Sequence, residues 1–324
     1  MKSKRSSLAF GLLLVGEIAS ASAGEFANAD WLRMVEHAPF SARDTAEGVS
    51  FRGKLWLSNG YLTGNQLVRD LWSSTDATNW TLVSTNTPYD GYTEMVVFED
   101  KLWAVKQSVW NSGDGLNWQR VAEKTPFGIR GYGELVVHQD RMWQLGSGAD
   151  IWNTTNGIAW TCATSNAPYG PRFASAVSPF KGELWVMGGA IEKTNSPPEK
   201  LYQQFTTYND VWRSADGVKW TRVAEHAPWS ARMWFVPIVF AGRLWIIGGF
   251  DNANRCNLGD VWWTEDGEKW HELKTKTKFS PRHEVTAYVH ENSLWVVAGN
   301  SWPLMNDVWK LVDIPAARPP GETK

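Results

Sequence analysis

Five arginines in this 324-residue chain occupy one register. Its internal repeats, aligned without gaps on a recurrent apolar-Trp pair, place Arg43, Asp90, Arg130, Arg172, Arg232 and Arg282 thirteen residues ahead of that Trp. A guanidinium offers a planar fork of donors that suits carboxylates and sulfate, so one chemistry open to these residues is the clamping of an anion. Four positions further on come Glu47, Glu94 and Glu134, and the last repeat carries His283 and Glu284 in its first strand. Carboxyl groups and imidazoles are the ordinary general acids and bases, so Glu94, Glu134, Glu284 and His283 are the catalytic candidates. A second reading makes each Arg mortar, paired with Asp70, Asp150, Asp210, Asp260 or Asp307, or capping loop carbonyls. Repetition favours mortar, because active sites are normally asymmetric, yet such a ring can still be functional at one or two members.

The elements that must position these groups are short strands. Trp is the compositional outlier, with 22 copies, and three Trp signatures recur in fixed order. The first is apolar-Trp at the end of a strand b (Trp56, Trp103, Trp143, Trp185, Trp245, Trp295). The second, usually Asp-apolar-Trp, marks a strand c (Trp72, Trp110, Trp152, Trp212, Trp262, Trp309). The third follows a c–d turn such as GDGLNW or ADGVKW, whose Asp-Gly suits a tight hairpin. An apolar strand a precedes each unit. Strands a, b and c occur six times, but the sixth d strand is missing after Trp309; Trp31 and RMVEHAP at the amino end supply it. RMVEHAPFSAR (33–43) indeed returns as RVAEHAPWSAR (222–232). The pattern predicts an all-β fold, a six-bladed β-propeller of four-stranded antiparallel blades, closed by the amino-terminal strand as outer strand of the last blade. Strand a is innermost, so the arginines should circle one mouth of the channel. The b–c loops open on that face: those of blades two and three are minimal, while 190–209 in blade four and 250–259 in blade five are long. Tyr92, Tyr132, Trp229, Trp234 and Trp302 lie outside the Trp framework or near the mouth, and are candidates to line a cleft there.

Lys2, Lys4 and Arg5 ahead of the apolar stretch Leu8–Val15, with Ala21-Ser22-Ala23 before Gly24, have the layout of a secretory signal peptide. Residues 1–23 are therefore expected to be removed, leaving a propeller over 24–313 and a Pro-rich tail over 314–324. The stretch is too short for a permanent membrane span, so export to the periplasm or medium, as a monomer, is expected. Removal changes the net charge from −2 to −4, which argues against a nucleic-acid partner. Cys162 and Cys256 fall in different repeats and read as unpaired small apolar residues.

Gly188-Gly189 and Gly248-Gly249 after strand b, with the later Trp of strands c and d, resemble kelch repeats over about residues 29–312. The pattern degenerates to Ala298-Gly299 in blade six and Asn59-Gly60 in blade one, and blades two and three lack it. The c–d turn resembles the Asp-box turn of sialidase propellers, one residue shorter, and reads as a structural turn. The kelch resemblance implies the propeller and leaves function open, since that family contains enzymes and binding scaffolds. A copper radical oxidase like galactose oxidase needs two Tyr, two His and a Cys, and no Tyr-His dipeptide occurs here. His138 and His290 align with framework Phe residues, and His37 and His226 with each other in d–a turns. No metal constellation or cofactor motif is legible. N-acetylneuraminate mutarotases are exported six-bladed kelch propellers, and ring opening needs only a general acid and base near the anomeric oxygen. Two functions thus stand: a binding module for a carbohydrate (an anionic one, by the arginines) or a protein, ranked first, and a sugar-acid mutarotase or other carbohydrate-active enzyme at the same mouth.

Overall fold

The structure, a computed structural model, describes residues 26–64, 66–193 and 205–313. Six four-stranded antiparallel sheets are arranged around a channel, each ordered a-b-c-d from the axis outward. Blade one is Glu47–Phe51, Lys54–Ser58, Leu71–Ser74 and Thr81–Ser84. The other inner strands are Glu94–Phe98, Glu134–His138, Ala176–Phe180, Val236–Phe240 and Thr286–His290. Each inner strand touches the next, and the last touches the first. In blade six the outer strand is Asp30–Val35, antiparallel to Val308–Val312 with Trp31 opposite Leu311 and Arg33 opposite Trp309. The expected leader and tail lie outside the described residues, as does 194–204 of the blade-four loop. Among the described residues no helix is long and apolar enough to cross a membrane.

The Trp framework works by position. Each strand-b indole donates to the carbonyl five residues back, as Trp185 does to Phe180 at 3.0 Å, and packs against the next blade. There the c–d turn carries Gly in the left-handed region: a Cβ on Gly115, Gly157, Gly217 or Gly267 would lie 2.1–2.3 Å from Trp56, Trp103, Trp143 or Trp185. That turn is longer than a two-residue hairpin. In blade two strand c ends at Ser112 and strand d starts at Gln119, and Asp114 holds the loop by accepting the N–H groups of Leu116 and Asn117. In these four blades Gly fits both the turn and the neighbouring indole, whereas blade one holds Ala77 in the same slot, also left-handed (φ 63°), fully buried and clustered with Trp295.

Trp229, expected as a cleft candidate, is core instead. It is 1% exposed and packs against Trp270 and Phe235. Phe40, Tyr89, Phe127 and Tyr169 follow Pro as Trp229 does and contact Trp80, Trp118, Trp160 and Trp220 in the same way, so this is a framework slot. Cys162 and Cys256 are unpaired, and both are exposed rather than packed.

Candidate functional site

The arginine register resolves into a repeated module. Arg43, Arg130, Arg172, Arg232 and Arg282 each grip, through both terminal nitrogens, the Asp that opens strand c of their own blade: Asp70, Asp150, Asp210, Asp260 and Asp307. Nη1 also donates to a b–c loop carbonyl, such as Gly248 O at 2.9 Å from Arg232. The same Asp accepts the strand-c indole N–H, as from Trp262 at 2.7 Å. Arg43, Arg232 and Arg282 have no exposed surface and Arg172 only 3%. The expectation that these arginines edge the mouth as ligand clamps therefore gives way. Their donors are turned into the blade, and the pairing is made inside one blade rather than between two. Blade two lacks both partners together: Asp90 replaces the Arg, and Trp110 donates to Ser108 Oγ at 2.9 Å.

What faces the axis is the residue two places after each aligned Arg, or after Asp90 in blade two. Thr45, Tyr92, Tyr132, Ala174, Trp234 and Glu284 all have φ between 50° and 68°, and all six line one cavity at the channel mouth. A left-handed non-glycine residue costs on the order of 1 kcal/mol, so six in register mark a built feature. Backbone bonds between blades hold part of this rim: Ala174 N–H donates to Tyr132 O, Trp234 N–H to Ala174 O and Glu284 N–H to Trp234 O. Glu284 and His283 consequently sit in the turn ahead of strand a, which begins at Thr286, and not within it. The aromatic rings meet across the opening: Tyr92 and Tyr132 at 5.3 Å, Tyr132 and Trp234 at 5.7 Å, and Trp234 stacked on His283 at 5.2 Å. Trp302, half exposed, stands outside them against Phe250 and His283.

Below the rim lies an acidic floor. Glu47, Glu94 and Glu134 are the first residues of three adjacent inner strands. Burial, opposed by Lys106 and a backbone bond from Met95, pushes the Glu47 carboxyl up to about 7. Burial and the neighbouring Glu47 charge raise Glu94, and burial with both neighbours raises Glu134 well above its ordinary value. Burial likewise raises the Tyr92 and Tyr132 phenols, so both are neutral donors. Lys106, from the minimal blade-two loop, stands over the Tyr92 ring at 3.9 Å and donates to Arg130 O; burial lowers its ammonium despite the glutamates beside it. Three lining residues carry a buried polar atom without a hydrogen-bond partner among the described residues: Tyr92 Oη, Glu94 Oε2 and Trp234 Nε1. The cavity is partly open and measures about 100 Å³, and Glu47 and Glu134 also face a further space of about 440 Å³ along the channel.

At the rim, Asp44, His283 and Glu284 bring donor atoms within 4.8 Å of one another, a grouping that could hold a metal ion and that the spacing of the sequence did not disclose. Burial raises Asp44, and burial with the Asp44 charge raises Glu284; burial lowers the His283 imidazole to about 4. The d–a histidines are turn residues: His37 bonds Asn306 and His226 bonds Asn209.

Of the candidates, Glu94, Glu134, Glu284, Tyr92, Tyr132 and Trp234 meet in one cavity, His283 and Trp302 adjoin it, and the five arginines do not enter it. Thr45, Asp44, Ala174 and Lys106 were missed. A signal for the first three was present, since they fall one and two places after the aligned Arg; Lys106 had none, because blade two breaks the register.

No family profile matches the chain, and no curated protein matches it. Among solved structures it is similar to one titled "Structure of YjhT", at 11% identity and a TM-score of 0.64, covering 86% of this chain and 99% of that one. At that identity the likeness shows the shared propeller fold.

Proposed function

We propose that this chain is an exported propeller that binds a carbohydrate at the aromatic rim, with hydroxyl groups directed to the glutamate floor. The observation that carries the reading is the placement of Tyr92, Tyr132 and Trp234 around a cavity whose floor is Glu47, Glu94 and Glu134. Aromatic faces receive the C–H face of a sugar ring, and carboxyl groups pair with hydroxyls as acceptor or, when protonated, as donor. The small cavity fits one hydroxylated edge, with the sugar ring resting on the aromatic side chains of the rim. The arginines that would recommend an anionic sugar are committed to aspartates, so a neutral sugar is proposed; Lys106 is the cation that an acidic substituent would meet. Export rests on the charged, apolar and small-residue pattern of residues 1–23.

A second reading has a specific observation behind it. A carboxyl held near 7, as at Glu47, suits proton transfer at neutral pH, and with Glu94 or Glu134 as partner it could open a sugar ring at the anomeric oxygen.

Saturation-transfer NMR with a panel of neutral sugars and sugar acids tests the first reading, and anomer-exchange NMR on the same samples tests the second. A neutral monosaccharide should bind, and Trp234→Ala and Tyr132→Ala should each weaken it about tenfold, a change of ~1.4 kcal/mol. No bound sugar in the panel, or unchanged affinity in both variants, would overturn the reading. Faster anomer exchange lost in Glu134→Gln would move the assignment from binding to catalysis.

A further inference from the structure

We propose that Asp44, His283 and Glu284 form a site for a divalent transition-metal ion at the junction of blades six and one, with its open positions facing the channel cavity. The three side chains come from opposite ends of the chain. Asp44 precedes the inner strand of blade one, His283 and Glu284 precede that of blade six, and their donor atoms already lie within 4.8 Å of one another. Metal–donor distances of about 2.0–2.2 Å put ligands about 3 Å apart, so small rotations would close the set. Two carboxylates balance the charge of a divalent ion, and mixed imidazole and carboxylate donors suit Mn²⁺, Zn²⁺ or Fe²⁺.

A second observation concerns orientation. His283 is 95% buried, being 5% exposed, and its Nδ1 lies 2.6 Å from Asn257 Oδ1. The Asn257 amide is itself fixed by donating through Nδ2 to Asn300 O at 2.9 Å. Nδ1 must then carry the ring proton, and Nε2 is left as a lone pair with no hydrogen-bond partner among the described residues. The carboxylates are held similarly. Asn300 Nδ2 donates to Asp44 Oδ2 at 2.8 Å, and Thr45 Oγ1 lies 2.8 Å from Glu284 Oε2 and 3.2 Å from Asp44 Oδ1. Glu284 Oε1 keeps no partner among the described residues. Metal ligands are characteristically steadied by such hydrogen-bonding amides and hydroxyls. Arg43, beside Asp44, has both terminal nitrogens on Asp70 and does not neutralise the pair. Glu284 and Thr45 line the cavity, so the remaining coordination positions open where water or a ligand hydroxyl can reach them. The site stands whether or not that ligand is a sugar.

The test uses full-length mature protein, free of affinity tag and stripped with chelator. Titration with Mn²⁺ and Zn²⁺ by calorimetry should show one ion per chain, with Mg²⁺ and Ca²⁺, which prefer all-oxygen shells, at least tenfold weaker. Asp44→Asn and His283→Gln should each weaken Mn²⁺ by a hundredfold or more. Asn257→Ala, which touches no ion, should weaken it ~10–100-fold. Near-ultraviolet circular dichroism of the indoles verifies that each variant is folded. Should the ligand variants fail to fold, electron–nuclear spin resonance on the wild-type Mn²⁺ complex decides, since one imidazole nitrogen must couple to the ion. No saturable binding, affinity unchanged in folded Asp44→Asn, or no nitrogen coupling would each overturn the proposal.

Discussion

A carboxyl group that would ionise freely in water is disfavoured as an anion at the throat of this channel. Glu94 and Glu134 are both raised by burial and by neighbouring carboxylates. The sign for stability follows. An acid whose folded value exceeds its ordinary 4.5 holds its proton in the fold after the unfolded chain has released it. The contribution of these two groups to stability is therefore greatest below about 4.5 and declines as pH climbs from there into the neutral range. Glu134→Gln and Glu94→Gln should stabilise the protein at pH 8 by on the order of 1–2 kcal/mol, at ~1.4 kcal/mol per pH unit, with little change at pH 4. Urea melts at the two pH values measure it, and equal effects at both would mean that the carboxyls titrate as if in water. At this scale the sequence disclosed residue types and register but not direction. The arginines and the rim residues are two places apart on one turn, and only the left-handed backbone at the rim sends the first into the blade and the second to the axis.

The connection between blades is a contact of two different elements, a strand-b indole and the c–d turn of the next blade. Gly267 has φ of +80°, and its missing side chain leaves room for Trp185, which a Cβ would approach to 2.1 Å. Gly267→Ala should cost ~2–3 kcal/mol through strain and overpacking, read as a lower thermal midpoint. Gly182→Ala, with φ of +77° but nothing within 4 Å, separates the two terms: it carries the backbone strain alone. Equal losses at both positions would show that the indole contact adds nothing. The turn residues were legible from the Asp-Gly repeats, whereas their second constraint was not, because the indole that imposes it lies roughly fifty to eighty residues earlier in the chain. Blade two shows how elements vary together. Having lost both members of the Arg–Asp pair, it also has a minimal b–c loop, and Lys106 from that loop reaches the Tyr92 ring. A low wall on this side leaves the rim approachable.

For the whole molecule, closure is the decisive contact. The strand Asp30–Val35 completes the sheet of Val308–Val312, and Trp31 is buried at 3% exposure against Phe279. Trp31→Ala should remove ~3–5 kcal/mol, and limited proteolysis should then cut first between blades six and one. An unchanged melting midpoint would show that the ring holds without this strand. The proposed metal site lies at the same junction, so an ion there would join the two ends of the chain.

Blade number, strand order, the Trp framework and the origin of the sixth outer strand were all determined by the sequence, because each depends on short-range periodicity that repetition displays six times over. The Asp partners of the arginines were readable as one of two alternatives. The tertiary structure alone decided between them, and it alone decided which side chains face the axis and that Asp44 meets Glu284. Those outcomes depend on backbone sign at single residues and on closure of a ring, which bring together groups that no local pattern relates.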